Sequence, residues 1–257
     1  MRWFNLLKAN TRKEYIELKR YLPNTIAEVL TFYCIFLAMF YGIKMTGDPK
    51  TMDVSIQFTM VSYISWYLAM SIMNFIGWVI TNEALRGTLE QLYMSPLGAW
   101  RVLMSRLLAS TLFHFGIIIA LLYLSMATTG QWLSFDVLTI LPVLAITLVS
   151  MFGVAYIVAG MSIVLKQVQA FLQIFQFILM GLTFVPVGAV KFLVYFPFVQ
   201  GIDLIRNIMI NDVTFSQIPW QDWLTITVNA TVYLVIGIFV FRRCERVAMD
   251  KGLLAHY

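Results

Sequence analysis

The stretch TNEALRGTLEQLYMSPLGAWR, from Thr81 to Arg101, lies between two long apolar segments and carries charges, a glycine and a proline. Gly87 is a helix breaker, and TLEQ at Thr88–Gln91 has the pattern of a capping box that starts a new helix. The SP dipeptide that ends at Pro96 closes this helix, because proline favours the first turn of the helix that follows. The stretch therefore predicts a short helix within about residues 82–96.

One face of this short helix is apolar. Leu89, Leu92 and Tyr93 share that face, whereas Glu90 and Gln91 point elsewhere. A connection that only reverses the direction of the chain needs no more than a few polar residues. The additional helix therefore predicts a rigid surface that is presented to a partner protein.

The composition places the flanking segments in a membrane. Of the 257 residues, 60% are hydrophobic and 12% are charged, whereas soluble domains carry about 25% charged residues. The apolar runs do not alternate as the strands of a membrane barrel do, and they reach the roughly 20 residues that a spanning helix needs. We predict an all-α membrane protein with six transmembrane helices, at about residues 25–43, 56–80, 106–127, 137–164, 170–187 and 223–241.

Lysine and arginine are distributed unevenly between the two sides of these spans. Residues 1–23 contain six lysines and arginines, residues 81–106 contain three, and residues 242–257 contain four. Together with Lys166, 14 of the 18 lysines and arginines therefore fall on one side of the predicted spans. Such residues concentrate in cytoplasmic segments. We therefore predict that both termini and the short helix are cytoplasmic. The net charge of +5 then reflects membrane topology, and no nucleic-acid partner is expected.

Residues 1–23 predict an amphipathic helix at the membrane interface. Trp3 and Tyr15 belong to its apolar face, and lysines and arginines occupy the remainder. An ordinary solvated helix is the alternative, but it would leave these aromatic residues in water. Pro23 is expected to end this helix, and a capping box at Thr25–Glu28 is expected to open the first span.

The stretch Val185–Ile210 is too apolar for a solvated loop and too interrupted by proline and glycine for a single span. We predict two short re-entrant helices at about residues 188–212, because irregular backbone at membrane depth must be buried in protein. A seventh span is the alternative, but it would put the basic C-terminus outside. The expected organisation is an interfacial helix, 1–23, followed by one six-span transmembrane domain, 24–257.

The segment around the short helix resembles a family signature. EALRGTLEQLYMSP is similar to the segment after the second span of the type-2 ATP-binding-cassette permeases, which are the membrane subunits of bacterial exporters. The residues that carry this resemblance are Glu83, Arg86, Gly87, Thr88, Glu90 and Pro96. The similarity extends to the N-terminal helix, the six spans and a re-entrant region before the last span. In that region, Phe196 of YFPFVQGIDLIR stands where the family commonly has asparagine.

The resemblance implies a pair of permease subunits, either two copies of this chain or this chain with a similar one. Each would dock through its short helix, then termed a coupling helix, on a nucleotide-binding ATPase subunit. The implied coupling residues are Glu83, Arg86, Gly87, Thr88, Leu89, Glu90, Leu92, Tyr93 and Pro96. The sequence contains no G-x-x-x-x-G-K-[ST] phosphate loop, so we expect no cofactor on this chain and ATP and Mg on the partner.

The implied function is export across the bacterial plasma membrane. The substrate expected from the short external loops is an amphipathic small molecule, a lipid or a lipid-linked glycan. Membrane lipids are a further expected partner.

A polar stripe marks the fifth predicted span. Its members, spaced at helical intervals, are Gln169, Gln173, Gln176 and Thr183. Polar residues within a span usually face a bundle interior or a cavity. They either line a translocation path between two protomers or form hydrogen bonds that hold the helices together, and the resemblance favours the path.

Other polar and small residues in the spans predict helix packing. Asn74, His114 and Asn229 are each expected to form a packing hydrogen bond. Ala155, Ala159 and Gly160 are expected to form a close helix–helix contact.

Two other classes of function fit the sequence less well. A membrane-embedded lipid-modifying enzyme needs clustered catalytic groups, whereas the ionisable residues here are scattered. An ion-driven secondary transporter usually shows repeats and intramembrane carboxylates, and here Glu28 alone comes close. Cys34 and Cys244 predict no disulfide framework, and the two histidines, His114 and His256, predict no metal site.

Overall fold

The computed structural model describes residues 2–165 and 169–250, and in these ranges it contains helices and connecting turns but no β-strand. The helices are α1 Arg2–Arg20, α2 Leu22–Thr46, α3 Met52–Leu85, α4 Leu89–Tyr93, α5 Ala99–Thr129, α6 Val137–Leu165, α7 Gln169–Phe184, α8 Val199–Asn211 and α9 Trp220–Asp250. A 3₁₀ segment, Lys191–Tyr195, lies between α7 and α8. The predicted all-helical class is confirmed.

Five of these helices are long and apolar enough to cross a membrane, namely α2, α3, α5, α6 and α9. They have 25 to 34 residues, and a spanning helix needs about 20. The fifth predicted span coincides with α7, which has 16 residues and a length of only about 24 Å. Lys166, just before α7, is outside the described residues. A sixth span therefore stays a prediction.

The boundary between α1 and α2 differs from the expected one. α1 ends at Arg20 and α2 begins at Leu22, so that Tyr21 alone separates them. Pro23 lies in the first turn of α2, where its missing N–H has no helical partner to lose. The expected capping box at Thr25–Glu28 is wrong, because these residues lie inside α2 and the Glu28 carboxylate accepts a hydrogen bond from the Tyr67 hydroxyl (2.9 Å).

Helix α3 occupies the centre of the bundle. Every residue from 59 to 73 is buried, and α3 contacts α2, α5, α6, α7 and α8. Two side chains in this buried stretch form hydrogen bonds to neighbouring helices. The Tyr63 hydroxyl donates to the Phe32 carbonyl of α2 (2.7 Å), and the Trp66 indole donates to the Gln176 carbonyl of α7 (3.1 Å). A helix that is apolar on all sides is expected at such a central position.

Helices α6 and α9 form the closest helix pair. A Cβ atom added to Gly153 would lie 2.3 Å from the Tyr233 carbonyl carbon, and one added to Gly237 would lie 2.1 Å from the Gly153 oxygen. A Cβ atom added to Gly160 would lie 3.2 Å from the Phe241 Cα atom of α9, which is a tight contact. Small residues permit this approach of two backbones in a membrane. The predicted packing role of Gly160 is confirmed.

The region between α7 and α9 contains three short helical pieces, which are the 3₁₀ segment Lys191–Tyr195, α8 and a second, three-residue 3₁₀ turn at Phe215–Gln217. The 3₁₀ segment has five residues and α8 has 13, so neither provides a seventh span. Arg206 of α8 is only 3% exposed and donates to the Thr183 carbonyl at the end of α7 (2.5 Å). Its guanidinium also lies 4.3 Å from the ring centroid of Phe58 of α3. Arg206 therefore joins α8 to α7 and α3, and re-entry of this region into the membrane stays a prediction.

The α6–α9 contact provides a test of the packing. Gly153→Ala should lower the free energy of unfolding by roughly 1–3 kcal/mol, the usual cost of overpacking, because the added methyl group meets the backbone of α9. Gly116→Ala in α5 is the matched control, since its Cβ atom would meet nothing within 4 Å. Thermal unfolding of the two purified variants measures the difference, and equal stability would show that α6 and α9 are not packed at this distance.

Candidate functional site

The connection between α3 and α5 contains the predicted short helix. Gly87 turns the chain with a φ of 67°, and α4 follows at Leu89–Tyr93. α5 starts after Gly98, which has a φ of 80°. Glycine adopts this left-handed region without the steric cost that other residues incur. The predicted break at Gly87 is confirmed, but Pro96 lies in the turn before Gly98 and not in the first turn of α5.

The Glu83 carboxylate joins three parts of this connection. One of its oxygens accepts a hydrogen bond from Arg106 Nη1 of α5 at 2.7 Å, and the other accepts one from the Thr88 hydroxyl. The Glu83 and Arg106 side chains are 21% and 19% exposed, so water screens their ion pair only in part. We call Glu83, Thr88 and Arg106 the clamp. It ties the end of α3 to α5 and to the residue that precedes α4.

The structure corrects the expected orientation of the short helix. Leu89 is 1% exposed and Leu92 is 6% exposed, so both side chains pack into the core of this chain and do not face a partner. An apolar helix face serves equally well for either purpose, which is why the pattern alone did not distinguish them. Leu89 and Leu92 therefore hold α4 against the bundle.

The surface beyond α4 is formed by other residues. Leu85 and Met94 are 68% and 77% exposed, and Arg86, Gln91 and Pro96 are exposed beside them. We call these five residues the α4 surface. Among the other implied coupling residues, Gly87 is exposed and Tyr93 is partly buried, while the Glu90 side chain is outside the described part of the structure. Their role in coupling stays a prediction.

Helix α1 lies against the clamp. Asn10 Nδ2 donates to the Ser105 hydroxyl of α5 (2.8 Å). Burial and the neighbouring Glu17 raise the pKa of Glu14 above its usual value, and the nearby cations Lys13 and Arg106 oppose this shift only in part. The N-terminal helix, the clamp and the start of α5 therefore form one connected region.

Arg106 and a cluster around Trp100 were not identified from the sequence. The Tyr156 hydroxyl of α6 donates to the Trp100 carbonyl (2.5 Å), and Arg242 of α9 lies 5.3 Å from the centroid of the Trp100 ring. A cation at the start of an apolar span, as Arg106 is, signals that an acidic partner is needed. Its partner is 23 residues away in the chain, and the pattern around Arg106 does not indicate which residue that is.

The polar stripe on α7 is divided between two environments. Gln169 and Gln173 are exposed. Gln176 is partly buried and its amide donates to Asn74 Oδ1 of α3 at 2.7 Å. Thr183 is buried and donates to the Leu179 carbonyl of its own helix. Gln176 and Thr183 therefore contribute to the bundle, and Gln169 and Gln173 point away from it.

Asn74 and Asn229 form packing hydrogen bonds to other elements, as predicted, whereas the hydrogen bonds described for His114 stay within α5. Asn74 accepts the hydrogen bond from Gln176. His114 Nδ1 lies 2.9 Å from the Ser110 carbonyl oxygen one turn earlier in α5. Asn229 Nδ2 lies within hydrogen-bond distance of three carbonyl oxygens between α7 and α8, the nearest of which is that of Phe196 at 3.1 Å.

A comparison with known protein families assigns this chain to a family. The family described as ABC-2 family transporter protein matches residues 34–239, a range that includes α3, the clamp, α4, α5 and α6 and extends into α9. The chain belongs to the ABC-2 transporter family. Membership makes this ABC-2 protein an integral membrane protein and a permease-type transport subunit, and it implies association with an ATPase subunit. No curated protein matches the chain.

The clamp of this ABC-2 protein can be tested by substitution. Arg106→Met should lower the free energy of unfolding by about 1.5–3 kcal/mol, since it removes a charged hydrogen bond and leaves Glu83 partly buried without its cation. Arg101→Met is the control, because Arg101 is an exposed arginine of the same helix. Chemical denaturation of Arg106→Met, Glu83→Ala and the double variant measures the coupling. Strictly additive losses would contradict a direct interaction.

Proposed function

We propose that this chain is the membrane subunit of an ATP-driven exporter that works as a pair of permease subunits. ATP and Mg are bound by a separate nucleotide-binding subunit, which docks on the α4 surface. The observation that carries this proposal is the clamp, because it holds an exposed surface rigidly at the end of the central helix α3. A rigid surface can pass a movement of the ATPase to α3 and α5.

The composition of the α4 surface supports docking of a protein. Leu85 and Met94 expose most of their side chains beside the polar residues Arg86 and Gln91. Exposed apolar groups that are rimmed by polar ones are typical of protein–protein contacts. The buried residues Leu89 and Leu92 stabilise α4 from below, so the surface above it keeps its shape.

The distribution of charge between the two ends of the bundle supports a cytoplasmic location of α4. The end with α1, α4 and the last turns of α9 carries most of the lysines and arginines. The opposite end carries four of them and six aspartates, which are Asp48, Asp53, Asp136, Asp203, Asp212 and Asp222. Basic residues stay on the cytoplasmic side. We therefore propose six spans in the bacterial plasma membrane. Both termini and the ATPase docking site lie on the cytoplasmic side, as the sequence predicts.

The exposed part of the α7 stripe supports a second permease subunit. Gln169 and Gln173 are exposed on α7, whose face toward the surroundings also includes Ile174 and Phe177. Amide groups that contact lipid are costly and normally face protein or a water-filled cavity. Pairing of α7 with a second copy, or with a similar permease, would place the two glutamines along the path between subunits. A path with few polar groups suits an amphipathic molecule, a lipid or a lipid-linked glycan.

The docking proposal predicts the effect of a charge on the α4 surface. Met94→Asp should reduce co-purification of the ATPase subunit at least about tenfold, because burial of an unpaired carboxylate in an interface is costly. Met45→Asp is the control, since Met45 is 86% exposed and lies at the opposite end of the bundle. Both variants should be produced and fold normally. Undiminished binding of the ATPase by Met94→Asp would place the docking site elsewhere.

The path proposal predicts different consequences for two glutamines of α7. Gln173→Leu should leave thermal stability unchanged and alter substrate-stimulated ATP hydrolysis in the assembled complex, because it changes the polarity of the path. Gln176→Leu should instead lower stability by about 0.6 kcal/mol, the average for a hydrogen bond between membrane helices, since it removes the bond to Asn74. The paired measurements are thermal unfolding and ATP hydrolysis. If the Gln173→Leu variant shows normal stability and normal substrate-stimulated ATP hydrolysis, Gln173 does not line the path and the path proposal is contradicted.

A further inference from the structure

One face of α1 lines an open groove of about 740 Å³. The lining residues of α1 recur every three or four positions from Asn5 to Arg20, so the groove follows the whole helix. Arg86, at the end of α3, contributes to the same groove. The groove therefore connects the N-terminal helix with the first residue of the turn that leads to α4.

The groove is strongly basic. Among the residues that the structure describes, five cationic side chains line it, those of Lys8, Arg12, Lys13, Arg20 and Arg86, and one acidic side chain does, that of Glu17. Glu17 lies 3.6 Å from the ammonium group of Lys13, which it partly neutralises. The remaining cations line the groove along α1 and at Arg86, and each is exposed. Like charges on one face repel one another, and a bound anion would relieve this repulsion.

Apolar side chains accompany these charges. Ile16 and Tyr21 line the groove and are 52% and 57% exposed. Trp3 and Phe4 are also exposed on α1. Because Tyr21 alone separates α1 from the spanning helix α2, the groove lies close to the membrane surface. Cations beside exposed aliphatic and aromatic groups match the boundary between lipid headgroups and acyl chains.

We propose that this groove binds the phosphate-bearing headgroup of an anionic membrane lipid, which bridges α1 and Arg86. The lipid would neutralise the cations of α1 and connect that helix to the α4 region. The proposal rests on the position of α1 at the inner membrane surface that is part of the proposed function, but not on transport itself. An acidic segment of the ATPase is the competing occupant. The exposed apolar groups of α1 and its short link to α2 favour the lipid.

Lipid binding by the full chain tests this site. The chain is purified in a neutral detergent and titrated with phosphatidylglycerol or phosphatidylcholine, and bound lipid is counted by native mass spectrometry. We expect one phosphatidylglycerol to be retained in preference to phosphatidylcholine. The double variant Lys8→Gln with Arg12→Gln should bind it about 25-fold more weakly, since each cation near an anionic lipid contributes about fivefold in affinity.

Three single variants separate a defined groove from a merely basic helix. Arg86→Gln should weaken phosphatidylglycerol binding about fivefold, although Arg86 is not part of α1. Glu17→Gln should strengthen it, because the variant removes an acidic group that lines the groove. Lys19→Gln is the control: Lys19 is exposed on α1 but does not line the groove, and its variant should bind like the unmodified chain.

The remaining outcomes overturn the proposal. Equal retention of the two lipids, or equal losses in Lys19→Gln and Arg86→Gln, would show that no defined lipid site exists. Displacement of phosphatidylglycerol by millimolar inorganic phosphate would identify a site for the free anion. Loss of ATPase co-purification with unchanged lipid binding in the Lys8 and Arg12 double variant would assign the groove to the ATPase. Because Met94→Asp tests docking independently, failure of the lipid site leaves the proposed function standing.

Discussion

Helices that lie side by side in a bilayer gain little from the hydrophobic effect, because lipid tails are as apolar as the helix side chains. Close packing and polar contacts must therefore determine which helices meet and at what height. Helix α3 meets this constraint along its whole length. Its polar or aromatic side chains contact α2 through Tyr67, α7 through Asn74, α8 through Phe58 and α5 through Glu83. Helix α3 therefore has specific side-chain contacts with each of these four helices.

These contacts relate the two ends of the molecule. Helix α3 has 34 residues and is about 51 Å long. Phe58 contacts Arg206 near one end, and Glu83 belongs to the clamp at the other. The α6–α9 pair is held differently, by backbone contact at Gly153 and Gly237. A movement applied at α4 would therefore reach α8 through α3, which also contacts α6 of this pair.

Much of this architecture could be predicted from the sequence, because long apolar runs have few stable arrangements in a bilayer other than spanning helices. The break at Gly87 was predictable for a similar reason, since a positive φ favours glycine. The start of α2 was not predictable. Pro23 and Thr25 are both residues that favour helix starts, and the choice between them depends on how α1 packs. The orientation of Leu92 was not predictable either, since an apolar face fits a partner or the chain's own core equally well. The partner of Arg106 emerges only when α3 and α5 are brought together.

The central claim is that the Glu83 carboxylate holds α4 rigidly on the bundle. The most direct test measures the distance between spin labels at Gln91 of α4 and Val247 of α9, which are both exposed. The measurement uses pulsed electron paramagnetic resonance on the membrane-reconstituted protein. We predict one narrow distance distribution in the otherwise unmodified chain and a clearly broader one in Glu83→Ala. Equally narrow distributions in both proteins would contradict the claim and would show that Leu89 and Leu92 alone position α4.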